Sequence, residues 1–244
     1  MKETHLARMV FDQAARYGAK TALRSKSGDR WHDISYHRLG ELIRDAAKAL
    51  LELGVGEGEM VGIYSGNRPE WTIADFAIQS VRGVSVPIYA TSTAGQAGYI
   101  VRDAAIRILF AGNQTQYDRI ASIPEDASPP AAIVVFDDGV DLRGNPKALR
   151  WQDLLEKGRA STRQAELDGR LQSATADDLA TLIYTSGTTG EPKGVMLHHA
   201  NFHHSFLAHD KRLTVSERDV SLCFLPLAHV FERAWTYYVI GHGM

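Results

Sequence analysis

Four short runs, MVGIYS (60–65), VSVPIYA (84–90), IRILFAG (106–112) and AAIVVFDD (131–138), are apolar on both faces instead of alternating. A strand that buries both faces needs helices above and below it, which is the pattern of a mostly parallel sheet. Helical patterns fill the gaps. RPEWTIADFAIQSVRG places Pro69 in a first turn and Gly83 beyond the end. AGQAGYIVRDA follows the second run, and WQDLLEKG reads as a short helix near 151–158. This alternation predicts an α/β fold, mixed and mostly parallel in its sheets, flanked by helices. Upstream, Leu6, Met9, Val10, Ala14 and Tyr17 mark one helix face that Gly18 can end. Ser35 can cap a second helix with the stripe Leu39, Leu42, Ile43, Ala46, Ala47, Leu50 and Leu53, ending at Gly54. Pro87 predicts an edge position or a strand end, because proline cannot donate to a ladder.

Residues 124–130 and 137–146 are rich in Pro, Gly and Asp and read as loops. The polar, weakly helical stretch 159–178 reads as a link between an N-terminal α/β subdomain, 1–170, and the start of a second subdomain, 171–244. Net charge is −2, from 27 basic and 29 acidic residues with no Lys/Arg block, which argues against a nucleic-acid partner. Cys223 is the only cysteine, and no secretory segment precedes the first helix, so the expected compartment is cytoplasmic. No apolar run approaches the roughly 20 residues of a membrane span.

The stretch LIYTSGTTGEPKGVMLHH (182–199) joins two strand-like runs through a loop of glycines and hydroxyls. Gly187, Gly190 and Gly194 allow close backbone approach, so main-chain N–H groups can point at an anion. Thr185, Ser186, Thr188 and Thr189 add hydroxyls, and Lys193 adds a mobile cation. The same composition also suits a plain polar hairpin turn, and composition does not decide between the two. A Walker loop is excluded by spacing and context, since Lys193 precedes a glycine and a strand-like run follows.

YTSGTTGEPKG resembles the signature loop of the AMP-forming adenylating enzymes, a superfamily of acyl-CoA synthetases, luciferases and peptide-synthetase adenylation domains. DDLATLIYTSGTTGEPKGVMLHHANF, FLPLAHVFER and SGNRPEWTIADFAIQSVRGVSVPIYATST look like its long-chain fatty acid:CoA ligase branch. The resemblance runs over nearly the whole chain, weakest between about 115 and 170. It implies a two-step reaction. A fatty acid carboxylate attacks the α-phosphate of ATP, giving acyl-adenylate and pyrophosphate, and the thiol of coenzyme A then displaces AMP. By motif matching, Thr185, Ser186, Gly187, Thr188, Thr189, Gly190 and Lys193 are the phosphate-binding positions, with the Thr185 hydroxyl close to Mg²⁺. His229 of FLPLAHVFER matches the family's histidine beside the acyl-adenylate, so Lys193 and His229 are the implied catalytic pair. The plain alternative for His229 is a cap or packing residue at a helix start. Of its neighbours, Phe231 and Trp235 read mainly as core, and Glu232 is left unassigned.

Histidines 198, 199, 203 and 204 invite a metal reading, weakened by the lack of carboxylate or thiolate neighbours in sequence. Asn201 reads as a helix N-cap and the remaining histidines as exposed. Asn67, Arg68, Glu70 and Trp71 read as a packing and capping cluster at a strand-to-helix turn. Arg82 and Arg102 fall at or near helix C-termini, where a cation favours the dipole.

The family's adenine-binding aromatic, magnesium-binding glutamate, ribose-binding aspartate and C-terminal catalytic lysine all follow the PLAHVFER region. The resemblance therefore implies an incomplete N-terminal domain, unable to form acyl-adenylate alone. Two other readings remain: an adenylating enzyme for another carboxylic acid, and a non-catalytic nucleotide-binding module. The gene sequence past codon 244 separates the last from the others. A fatty-acid enzyme is compatible with peripheral contact at the inner membrane face, although no basic amphipathic anchor is found.

Overall fold

The computed structural model describes residues 5–185 and 191–244. Helix α1 (Leu6–Tyr17) ends at Gly18, φ 47°, and α2 (Tyr36–Glu52) is followed by Gly54, φ 80°. Both glycines occupy the left-handed region that ends helices at little cost, as the sequence predicts. Ser35 caps α2 by accepting the Arg38 N–H at 3.1 Å. Between the two helices, β1 (Thr21–Ser27) and β2 (Arg30–Ser35) form an antiparallel hairpin across a two-residue turn, with Gly28 at φ 56°.

The alternating part follows as β3 (Met60–Tyr64), α3 (Pro69–Ser80), β4 (Val84–Ile88), α4 (Ala94–Asp103), β5 (Ile108–Ala111), α5 (Gln114–Ala121), β6 (Ala132–Val135), β7 (Ala148–Arg150), α6 (Trp151–Ala160) and α7 (Gln164–Ser173). Then come β8 (Leu179–Thr185), β9 (Lys193–His198), α8 (His199–Asp210) and α9 (Val230–Gly241). The seven-stranded sheet runs β7-β6-β5-β3-β4-β8-β9, parallel throughout except for β9, which is antiparallel to β8.

Both faces are covered. In β5, Ile108 and Phe110 join the larger core built on α1, α2, α3 and α6, while Leu109 and Ala111 join a second core built on α4 and α5. In β6, Val134 belongs to the first core and Ile133 and Val135 to the second. The mixed, mostly parallel α/β architecture expected from the doubly apolar runs is the one found.

Two expectations need correction. Pro87 is not on an edge, because β4 lies between β3 and β8. Val84 donates its N–H to Glu59 on the β3 side, so by strand alternation residue 87 faces β8. On that side the ladder is a single bridge, Ser85 opposite Thr181, and the missing N–H falls where pairing has already opened. The strand-end half of the expectation holds. Residues 159–178 are not a bare link either. Within them α7 buries Leu167 completely, and Arg170 donates to the carbonyls of Val55 and Val81, each at 2.9 Å. Strands β8 and β9 extend the same sheet as β3–β7, so the sheet continues across residue 170.

Candidate active site

Strand β3 has β4 on one side and β5 on the other, so the chain reverses its direction of travel across the sheet there. A crevice outside the carboxyl ends of the strands at such a switch point is where open α/β sheets bind ligands. Ser65–Arg68 follow β3 at that end, Gly112 follows β5, and Thr185 closes β8.

Thr185 and Lys193 are cross-strand partners at the loop end of the β8–β9 hairpin, and both side chains are exposed. Ser186, Gly187, Thr188, Thr189 and Gly190 lie outside the described residues. Helix α4 grips the stems of the hairpin. Tyr184 donates its hydroxyl to Asp103 at 2.6 Å, and Tyr99 donates to the Pro192 carbonyl at 3.1 Å. The two rings meet edge to face at 6.4 Å. Gly194 lets the Tyr184 ring lie close, since a Cβ at that position would sit 3.2 Å from it, tighter than ordinary contact. Burial, reinforced by the Asp103 carboxylate, raises the Tyr184 phenol above its ordinary range, so it stays a donor.

His229 is exposed at the N-cap of α9, where its Nδ1 accepts the Phe231 N–H at 3.2 Å. The preceding turn is held by side chains from elsewhere. Asn67 Nδ2 donates to the Leu225 carbonyl at 2.7 Å, and Asn67 Oδ1 accepts the Leu227 N–H at 2.9 Å. Glu232, only 2% exposed, accepts the Leu225 N–H at 3.2 Å. Asn67, Leu227 and Glu232 border a cleft of about 430 Å³ that also meets Arg68, Thr72 and Cys223. Burial and the Glu232 carboxylate push the Cys223 thiol up to about 12. The site residues are joined from below by Arg233, whose guanidinium reaches from α9 to Thr181 of β8 at 2.6 Å and to Asp75 of α3 at 3.0 Å.

Several sequence readings change. Phe231 is 56% exposed and is not core, whereas Trp235 packs partly buried against the larger core. Asn67 does not cap α3, since Arg68 occupies that N-cap, and its amide is spent on the 225–227 turn. Arg68 pairs with Glu70 at 2.8 Å and Asp137 at 2.6 Å. Asn201 is not the N-cap of α8. His198 is, and the Asn201 Oδ1 accepts the His198 N–H at 2.8 Å from the third helical position. Arg82 is held by Asp178 at 2.7 Å, so its role exceeds a dipole contact.

The histidines are not all exposed: His199 and His203 are 1% and 2% exposed, and only His198 and His204 face solvent. His199 stacks on His5 with ring centroids 3.6 Å apart. Both use a neutral Nδ1 to accept an N–H from the first turn of α1, Ala7 for His5 and Leu6 for His199, each at 3.3 Å. Among the described residues, no group of three or more His, Cys, Asp or Glu side chains is arranged to hold a metal ion.

This pair predicts acid sensitivity. Burial drives the His5 imidazole down to about 4; the Asp178 carboxylate opposes the shift, and Arg82, Arg8 and His203 add to it. Burial, then His5, Arg233, His203 and His198, hold His199 well below its ordinary value. Protonation would also convert each cap acceptor into a donor at a helix N-terminus, where a cation is unfavourable. The folded state thus binds fewer protons than the unfolded chain below about pH 6.5. Stability is full above that pH and falls towards pH 4, by about 1.4 kcal/mol per pH unit for each titrating histidine. Urea midpoints at pH 7.5 and pH 5 should differ accordingly, and His5→Asn, which keeps a cap acceptor without titrating, should flatten the profile. An equal slope in that variant would remove the assignment to His5.

Comparison with known proteins adds the family. The chain is 41% identical over 209 residues to the long-chain-fatty-acid–CoA ligase FadD15 of Mycobacterium tuberculosis, covering 84% of this chain and 33% of that protein. It is 34% identical over 219 residues to the long-chain-fatty-acid–CoA ligase ACSBG2 of Xenopus laevis, covering 88% of this chain and 29% of that one. It thus spans about a third of the length of the curated relatives it matches. In fold it is similar to the N-terminal domain of FACL13 from Mycobacterium tuberculosis, with a TM-score of 0.79 at 24% identity, covering 100% of this chain and 56% of that one. The anthranilate CoA ligase AuaEII, solved with anthranoyl-AMP, gives a TM-score of 0.80 at 23% identity over 97% of this chain and 44% of its own. The family model described as AMP-binding enzyme matches residues 10–244, nearly the whole length, and the chain belongs to that family.

Proposed function

We propose that this chain supplies the phosphate-loop wall of the ATP site in a long-chain fatty acid:CoA ligase. The observation that carries the reading is the Thr185–Lys193 pair, facing across the mouth of a Gly/Thr-rich loop at the carboxyl end of a parallel sheet. In the first step a fatty acid carboxylate oxygen bonds to the α-phosphorus of ATP, and the bond to the pyrophosphate oxygen breaks. Negative charge grows on the β/γ-phosphates. The loop hydroxyls and amides of 185–190 receive it, and the Lys193 ammonium moves with the departing pyrophosphate. His229, on a turn fixed to the same edge, orients the carboxylate against the α-phosphate. In the second step coenzyme A attacks the acyl carbon and AMP leaves.

Mg²⁺ neutralises phosphate charge when bound. Thr185 would give it one oxygen, the remainder coming from phosphate and water. In this reading the chain alone does not form acyl-adenylate. A cytoplasmic site of action, with peripheral contact where fatty acid meets the inner membrane face, fits the single unpaired thiol and the substrate. No helix among the described residues is long and apolar enough to cross a membrane.

Titration calorimetry tests the phosphate reading. Pyrophosphate should bind the 244-residue chain at millimolar concentration, and Lys193→Ala should weaken binding about 10- to 100-fold by removing a charge-assisted contact. Equal binding by the variant, or none by the parent chain, removes the assignment. Fatty-acid-dependent pyrophosphate exchange by the chain would overturn its predicted inactivity.

A further inference from the structure

A segment outside helices and strands must find other partners for its backbone groups. Residues 220–225 belong to no helix or strand and pair with no strand among the described residues. At its end, three consecutive demands are met by two side chains. The carboxamide of Asn67 serves Leu225 C=O and Leu227 N–H, and the carboxylate of Glu232 serves Leu225 N–H. Pro226, between them, has no N–H to satisfy. From this clamp the bonding runs directly to the imidazole. His229 N–H donates to Pro226 C=O at 2.8 Å, His229 Nδ1 accepts from Phe231 at 3.2 Å, and Arg233 N–H donates to His229 C=O at 3.2 Å.

Asn67 is itself rigidly placed. It follows β3, and the next residue, Arg68, stands at the N-cap of α3 with its guanidinium paired to Glu70 and Asp137 and lying 5.3 Å from the Phe136 ring centroid. Both a donor and an acceptor are needed at 67, and only a carboxamide of this length provides both at that spacing. An aspartate would set a carboxylate against the Leu225 carbonyl.

We infer that Asn67 is a positioning residue for His229, substituting for an absent strand neighbour, with Glu232 completing the clamp from α9. In calling the turn functional, this rests on the reading of His229 given above. Cys223 lies at the same junction, with Asn67 Nδ2 3.4 Å from its sulfur, and as the chain's only thiol it reports on the clamp.

The experiment compares the 244-residue chain with Asn67→Ala, Asn67→Asp and, as a control on the same sheet edge, Asn113→Ala. Asn113 caps α5 and does not touch the turn. Long-range ¹H–¹⁵N spectra read the His229 tautomer, and iodoacetamide alkylation across pH 7–10 reads Cys223. The parent chain should show His229 with Nδ1 as acceptor and a slow thiol. Asn67→Ala should average the tautomers and speed alkylation at pH 8 at least tenfold, Asn67→Asp, which keeps the shape but sets a carboxylate against the Leu225 carbonyl, should do the same, and Asn113→Ala should change neither. Parent-like spectra and rates in both Asn67 variants overturn the inference, as does an equal response in Asn113→Ala. If Asn67→Ala does not fold, the Asp variant alone decides. Neither readout uses ATP or fatty acid. Failure of the ligase reading would show instead in the pyrophosphate titration, with these results standing.

Discussion

Replacing Arg233 with methionine should destabilise the chain by about 3–5 kcal/mol, the usual cost of stranding one half of a buried ion pair. Arg233 is fully buried and Asp75 is 1% exposed. The guanidinium makes a two-pronged contact with the carboxylate, through Nε at 3.0 Å and through Nη2. Tyr237 donates to the same carboxylate, Gln79 donates to Tyr237 at 2.6 Å, and Thr181 passes its own hydroxyl proton to the Ser85 carbonyl at 2.6 Å. Burial opposes charge on Arg233, but Asp75 and Tyr237 outweigh it, and its affinity for the proton is raised. Without the arginine, Asp75 keeps one phenolic donor in a site closed to water. Pairing Arg233→Met with Asp75→Leu should recover much of the loss, because two apolar side chains of similar volume need no desolvation offset. Urea midpoints for the two single variants and the double variant form the cycle. Additive losses would mean that the pair is not coupled. The network ties α9 to α3 and β8, so the single variants should also disturb His229, four residues before Arg233.

How much of this was legible in the sequence depends on the range of the interaction. The parallel sheet was, because strands buried on both faces leave continuous apolar runs, and helix ends were, because Gly18 and Gly54 stand where a positive φ is needed. The hairpin β1–β2 leaves no such mark. Its strands are half-buried or exposed on both faces, so no apolar alternation exists, and Gly28 with the two-residue turn was the only signal. Helix α5 does leave a local signal, since Asn113 and Gln116 form a reciprocal capping box at its start. Motif matching could single out Thr185, Lys193 and His229 as candidates but not what holds them. The contact from Asn67 to Leu225 spans 158 positions, as does that from Arg233 to Asp75, and Leu6 to His199 spans 193. No local pattern encodes such pairs. A polar residue at a turn looks like a cap until the fold brings its partner to it, as at Asn67, whereas Asn201 does serve the start of α8 and differs from the expectation only in acting from the third helical position.

Gly158 and Gly169 should respond to alanine with opposite signs. Both lie inside helices, α6 and α7, where propensity alone favours alanine by up to about 1 kcal/mol. Gly169 has open space where a Cβ would go, so Gly169→Ala should stabilise the chain by about 0.5–1 kcal/mol. At Gly158 a Cβ would fall 1.8 Å from the backbone oxygen of Asp45 in α2, where ordinary contact begins at 3.4 Å. Backbone cannot rotate aside as a side chain can, so α6 must move bodily off α2. Trp151, Leu154 and Leu155 of α6 are 3%, 0% and 2% exposed, and that movement would loosen all three. Overpacking of this kind costs about 3 kcal/mol or more, well beyond the gain in propensity. Thermal or urea unfolding of the two variants decides the matter, and a Gly158→Ala chain as stable as its parent would show that the α2–α6 contact can open without penalty. The same contact explains why a helix read as ending near 158 continues to Ala160: glycine is there for the approach of a second helix and not for a stop.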